Sequence, residues 1–147
     1  QGELSGRDNV FLYGSFLGLN RSEIRKKYDD IVEFSGLRKF MDQKLKNYSS
    51  GMQARLGFAI TSHVDADILL VDEGLAVGDY DFQNQCLKKM NEFRSVNRTM
   101  ILVSHDIEHI RKMCNRVIWV EHGGTVLVGQ TEVVLNSYLK EKKLYYA

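Results

Sequence analysis

Apolar residues in this chain follow two rhythms, and the change between them falls near residue 65. From Leu4 to His63 they recur at helical spacing, so this stretch reads as helix after helix. Asn20 with Glu23 three residues later predicts a capping box. Ile24, Tyr28, Ile31 and Ser35, with Val32 beside them, then trace one helix face as far as Gly36, a C-terminal stop. A further helix is predicted from Met52 to Thr61. From Asp67 onward, apolar runs of strand length at Ile68–Val71, Met100–Val103 and Val117–Val120 alternate with helical segments. That alternation predicts a parallel sheet with crossover helices. One crossover helix should span Asp79–Val96 with Phe82, Cys86, Met90 and Phe93 inward, and Ile107, Ile110 and Met113 mark a shorter one. Gly123-Gly124 predicts a hairpin turn between Trp119 and Val126, and Thr131 should cap a last helix packed through Leu135, Tyr138 and Leu139. The expected class is α/β, with a helical part at 1–65 followed by part of a sheet with flanking helices at 66–147.

Composition narrows the picture. A hydrophobic content of 44% supports a core, and a net charge of +1 with scattered Lys and Arg gives no groove for nucleic acid and no patch for an anionic membrane. Cys86 and Cys114 stand on separate segments without C-x-x-C spacing, which suits small buried hydrophobes in a reducing compartment. The longest apolar stretch, Val10 to Leu19, is too short to span a bilayer and contains Gly14, Ser15 and Gly18. The opening Gln1-Gly2-Glu3-Leu4 has no initiator methionine and reads as the interior of a longer chain. The expected address is the cytoplasm.

Three polar tips carry the candidate chemistry. The run Ile68–Val71 ends in Asp72 and Glu73, and the run Ile101–Val103 leads to Ser104-His105. A parallel sheet gathers ligands beyond the carboxyl ends of its strands, so these groups should share an edge. Asp72 would hold Mg²⁺, Glu73 would polarise an attacking water, and His105 would donate a hydrogen bond to a transferring phosphoryl group. Upstream, Ser49-Ser50-Gly51 precedes a helix whose first N–H groups and dipole suit a phosphate, although a simple helix cap has the same composition.

With those residues in place, the chain resembles the ATP-binding subunit of an ABC transporter over nearly its whole length. Tyr48-Ser49-Ser50-Gly51-Met52 with Arg55 resembles the signature motif, Ile68–Glu73 the Walker B strand with its catalytic glutamate, Asp79 the D-loop aspartate and His105 the switch histidine. Gly74 stands where most of the family has proline, and Met52 where most has glutamine. Both departures, and the stretch Glu3–Asn9, resemble the subgroup that exports O-antigen, capsule and teichoic acid. No G-x-x-x-x-G-K-[ST] occurs, so the chain should supply only the second half of such an ATPase and alone bind ATP weakly and hydrolyse almost none. The resemblance implies ATP and Mg²⁺ as ligands, a transmembrane permease as partner, and a location on the inner face of the cell membrane reached only through that permease. It also implies a head-to-tail homodimer in which Ser49 and Gly51 serve the partner's nucleotide, with Ser50, Met52 and Asp79 also among the nucleotide-binding residues. Asp72, Glu73 and His105 would then serve the nucleotide of their own subunit.

Three other readings use the same residues. His105 and His109, four apart with acids between, have the spacing of a helical zinc site, provided both lie on the helix. The signature, Walker B and D-loop also occur in the C-terminal lobe of chromosome-maintenance and DNA-repair ATPases, but here no sustained heptads precede them. Finally, the chain could dock a permease without catalysing anything, with Val10–Leu19 in the groove; Phe11, Phe16 and Leu19 are expected in the core instead.

Overall fold

The computed structural model describes residues 1–72, 79–95 and 98–145. It divides into two compact units, residues 1–69 with 74–99, and residues 70–73 with 100–147.

The first unit is built on α1 (Gly6–Phe16), α2 (Arg21–Ser35) and α3 (Ser50–Ser62), with short 3-10 turns at Arg38–Phe40 and Leu45–Asn47, and α4 (Tyr80–Ser95). Local chemistry explains each boundary. The Asn20 side chain accepts the Ser22 and Glu23 N–H groups while Glu23 reaches back to the Asn20 N–H at 2.7 Å, closing the expected capping box on α2. Gly36 then takes the left-handed conformation, φ 68°, that ends it. Ser5 and Asp8 form an equivalent box on α1.

Ile24, Ile31, Val32 and Val10 are at most 1% exposed and form the centre of this unit's core with Leu56, Ala59 and Ile60. Each of these Val, Leu and Ile side chains contributes about 1.5–3 kcal/mol by leaving water. Ser35 lies on the same face, fully buried, with its hydroxyl donating to the Val32 carbonyl at 2.8 Å and accepting the Leu37 N–H. Tyr28 is half-buried, its ring stacked on Phe11 at 5.9 Å. Phe82 on α4 meets Phe34 and Phe58, with Cys86 and Met90 buried along the same face; Phe93 is only half-buried. Burial pushes the Cys86 thiol up to about 11, in keeping with a small apolar filler. Phe11 and Leu19 pack against the core as expected, whereas Phe16 is 75% exposed on the last turn of α1, because Gly14 and not Phe16 faces α2 there.

His63, just beyond α3, is a half-buried histidine with no expected role. Its Nδ1 donates to the Ala59 carbonyl at 2.7 Å and its ring meets Phe34 edge-on at 5.4 Å. Desolvation lowers its pKa below the ordinary 6.5. The folded state therefore takes up this proton later than the unfolded chain, so the contribution of His63 is present above pH 6.5 and lost as pH falls through the depressed value. His63→Gln is expected to flatten the loss of thermal stability between about pH 7 and 5, read as melting temperature against pH; an unchanged slope would assign that loss to other groups.

The second unit contains α5 (Ile107–Met113), β3 (Arg116–Glu121), β4 (Gly124–Gln130), α6 (Thr131–Tyr145) and most of β1 (Ile68–Asp72) and β2 (Thr99–Val103). β1 and β2 form a two-stranded parallel sheet. Val117–Val120, expected both in the parallel sheet and at the start of a hairpin, is β3: it pairs antiparallel with β4 as the hairpin requires, but in a two-stranded sheet separate from β1 and β2. A two-residue turn makes the hairpin: His122 and Gly123 have φ of 48° and 79°, the paired left-handed values that return a chain directly onto itself. The turn thus lies one residue before Gly123-Gly124. Trp119 and Leu127 face α6, where Trp119 meets Tyr138 at 5.4 Å; Val134 and Leu135 are buried and Leu139 half-buried. Thr131 opens α6, but its hydroxyl donates to the Cys114 carbonyl at 2.7 Å. Among the described residues no helix is long and apolar enough to cross a membrane.

Candidate functional site

The candidate residues fall into both units. In the first, Ser49 adopts an extended backbone and its Oγ accepts the Met52 N–H at 3.2 Å, so Ser50, Gly51 and Met52 form the opening turn of α3. Two contacts fix the approach to that turn. Tyr48, 5% exposed, donates its hydroxyl to the Phe40 carbonyl at 2.7 Å, and the Gln53 amide donates to the carbonyls of Leu45 and Tyr48 at 3.3 Å each. Ser49 and Ser50 are exposed at the positive end of a 13-residue helix, whose Met52 N–H is already taken by the Ser49 cap. Ser49→Ala is expected to cost about 0.5–2 kcal/mol through the lost cap, measured by thermal denaturation.

Asp79 precedes α4 and uses both carboxylate oxygens. One accepts the Phe82 N–H at 3.0 Å; the other takes the Arg55 guanidinium at 2.6 Å. Arg55 also lies over the Phe82 ring, 4.9 Å from its centroid. The Phe82 N–H and then the Arg55 guanidinium hold the Asp79 carboxyl below the usual carboxylate range. The opening helix α3 and Asp79 are thus joined by a side chain one turn into that helix. Nothing in the spacing of Arg55 and Asp79, 24 residues apart, reveals this pair.

In the second unit, Asp72 is the exposed last residue of β1, and His105 lies exposed two residues beyond β2, its neighbour in the same sheet. Glu73 lies outside the described residues, as does the stretch between it and Asp79. The backbone around His105 is held on its downstream side. Asp106 accepts the Glu108 and His109 N–H groups at 2.9 and 3.1 Å, while the Ser104 hydroxyl accepts the Asp106 N–H at 3.0 Å. The His109 N–H first, and the Glu108 N–H with it, hold the Asp106 carboxyl below its ordinary value.

This cap starts α5 at Ile107 and so leaves His105 off the helix. His105 and His109 therefore do not form the one-turn pair that the zinc reading requires. Among the described residues no group of three or more His, Cys, Asp or Glu side chains is placed to hold a metal. Mg²⁺ makes a different demand: one or two hard carboxylates, with phosphate and water completing the shell. A single exposed Asp72 at a strand end fits that donor set.

The chain is 49% identical over 140 residues to the teichoic acids export ATP-binding protein of Lactococcus lactis, covering 95% of this chain and 30% of that protein. It is 42% identical over 136 residues to the O-antigen export system ATP-binding protein of Klebsiella pneumoniae, covering 92% of this chain and 55% of that one. The sequence is a portion of an ABC transporter ATP-binding protein of the teichoic acid and O-antigen export family. It spans about a third to a half of the length of these two curated relatives. The fold agrees with the family: a dimeric ATP-binding cassette solved in a post-hydrolysis state with ADP and phosphate superposes with a TM-score of 0.71 at 20% identity, over 89% of this chain and 58% of that one. No family model matches the chain.

Proposed function

We propose that this portion of an export-family ATPase supplies the signature helix, the Walker B carboxylates, the D-loop aspartate and the switch histidine of the subunit that powers export of a lipid-linked polysaccharide. The observation that carries the reading is identity above 40% across more than nine-tenths of the chain to two proteins whose names specify teichoic acid and O-antigen export. Residues 1–65 form the signature-bearing part and 66–147 the C-terminal part of the ATPase core.

The start of α3, with Ser49, Ser50, Gly51 and Met52, meets the γ-phosphate held by a second subunit, and Asp79 meets the same interface. A head-to-tail dimer follows from that arrangement, and the dimeric state of the matched cassette supports it. Asp72 holds Mg²⁺, which when bound offsets the charge on the β and γ phosphates. Glu73 takes up the proton of the attacking water, and His105 donates to the phosphoryl oxygens as charge builds there. Without a glycine-rich phosphate loop in its own sequence, the chain by itself binds ATP weakly and turns it over negligibly. Contact with the membrane runs through a permease, on the cytoplasmic face.

The test is a chimera in which this sequence replaces the 140 residues it matches in the Lactococcus lactis relative. The chimera is expected to hydrolyse ATP and to restore teichoic acid export to cells lacking the relative. A folded chimera that binds ATP but never supports export would sink the assignment of substrate; one that neither binds nor hydrolyses ATP would sink the ATPase reading itself.

A further inference from the structure

We propose that Tyr48 and Gln53 are positioning residues for the Ser49-Ser50-Gly51 turn, a brace that fixes where this turn meets the nucleotide held by a second subunit. Ser49 and Ser50 are exposed, so packing does not hold their side chains, and the turn inherits its place from the residues on either side. Upstream, the buried Tyr48 ring is wedged against Gly6, where even a Cβ would collide with it, and its hydroxyl donates to the Phe40 carbonyl at 2.7 Å. The segment that receives it is tied to the start of the chain. Ser5 and Lys44 form an antiparallel bridge, the Leu45 N–H donates to the Leu4 carbonyl at 2.8 Å, and the Gly6 N–H to the Gln43 carbonyl at 3.0 Å. Downstream, the Gln53 backbone N–H donates to the Ser49 carbonyl at 2.9 Å, and its side-chain amide reaches back past the cap to the carbonyls of Leu45 and Tyr48.

Packing alone does not call for these polar groups. The Phe40 carbonyl already accepts the Gln43 N–H at 2.9 Å, so loss of the Tyr48 hydroxyl orphans no acceptor there. The Leu45 carbonyl likewise accepts the Tyr48 N–H at 3.0 Å, and Gln53 is an exposed helix residue that any good helix former can replace. What the two groups add is a fixed distance between the frame and the cap. That distance bears on the Ser49 hydroxyl, which accepts the Met52 N–H at 3.2 Å and keeps its own proton to donate. A donor to a phosphoryl oxygen acts only within hydrogen-bond reach, and a displacement of about 1 Å can cost about 10²-fold in rate. This inference rests on the reading of the chain as part of an export ATPase whose Ser49 turn serves the partner's nucleotide.

The experiment uses two heterodimers of the Lactococcus lactis chimera, purified through a different affinity tag on each subunit. One subunit carries Glu73→Gln, which silences its own nucleotide and leaves its Ser49 turn facing the live one. Tyr48→Phe with Gln53→Met is then placed either on that same subunit or on the other. Both heterodimers contain the same substitutions, so any loss of stability weighs on the two alike. With the pair on the Glu73→Gln subunit, kcat is expected to fall by about 10–10²-fold against the heterodimer carrying Glu73→Gln alone. The KM for ATP should stay within about threefold, as for a contact made only in the transition state. With the pair on the other subunit, its turn faces the silent nucleotide and kcat is expected to change by less than about twofold. Equal loss in the two placements, or loss in neither, overturns the proposal. Should one Glu73→Gln silence both nucleotides, the homodimer carrying only the Tyr48 and Gln53 pair decides, assayed well below its melting midpoint: the same fall in kcat at unchanged KM supports the brace, and an unchanged kcat overturns it. A parent chimera without turnover sinks the functional reading, and this inference with it.

Discussion

Glu73→Gln in the chimera is expected to leave ATP binding within about twofold and to lower turnover by about 10²–10⁴-fold, the range for loss of a general base. Glutamine preserves the shape of the side chain and one accepting oxygen, but its amide cannot take a proton from water. Binding draws on other groups, the Mg²⁺ assigned to Asp72 among them. Two companions separate the roles. Asp72→Asn should weaken Mg²⁺-dependent nucleotide binding as well as turnover, and His105→Ala should lower turnover by about 10²–10³-fold with binding retained, as for loss of one donor to a developing charge. Bound nucleotide by equilibrium dialysis and phosphate release by continuous assay give the two readouts. Turnover within tenfold of the parent for Glu73→Gln would remove Glu73 from the chemistry.

The predicted consequences differ because position in the fold differs. Asp72 and His105 follow neighbouring strands of one sheet and belong to one unit, whereas Ser49 to Met52 and Asp79 belong to the other. Within the first unit, Arg55 binds the opening helix α3 to Asp79, so the two elements assigned to the interface are held together by a 2.6 Å ion pair and the Phe82 ring beneath it.

Local rules made the helices legible. Asn20, Glu23 and Gly36 act through bonds spanning three or four residues, and these can be read from adjacent letters. α4 was equally plain, since Phe82, Cys86 and Met90 repeat every four residues on a buried face. What could not be read depends on distant partners. The hairpin after Val117–Val120 was signalled by Gly123-Gly124, but the strand has the composition of a parallel core strand, and its place in a sheet separate from β1 and β2 was not legible. Phe16 looks like core by type, yet the last turn of α1 presents Gly14 to α2 and leaves the phenylalanine in solvent. In the candidate site, the positions of Ser49, Asp72 and His105 relative to their helix or strands followed from the sequence, whereas the Arg55–Asp79 pair needed the three-dimensional approach of α3 to α4.

The same kind of distant contact makes Gly6→Ala the most damaging small substitution expected in the helical unit. A Cβ at Gly6 would overlap the Tyr48 hydroxyl and lie 3.1 Å from its Cζ and 3.3 Å from the Met41 carbonyl oxygen. Neither neighbour can yield easily. Tyr48 is 5% exposed and its hydroxyl is bonded to the Phe40 carbonyl, while the Met41 carbonyl accepts the Arg7 N–H at 2.8 Å. One added methyl group in such a site costs about 1–3 kcal/mol, which for a unit of this size lowers the melting temperature by about 4–8 °C for each kcal/mol. The effect should reach the candidate site, because Tyr48 immediately precedes the Ser49 cap and displacing its ring moves the start of α3. Tyr48→Phe removes the overlapping oxygen at the cost of one hydrogen bond, about 0.5–1.5 kcal/mol. The double substitution is therefore expected to be less destabilised than the sum of the two single ones by at least about 0.5 kcal/mol, the lower bound for residues in contact. Strict additivity in the cycle would mean that Gly6 and Tyr48 do not constrain each other, and that the tight approach of α1 to the turn before α3 is not what places Ser49.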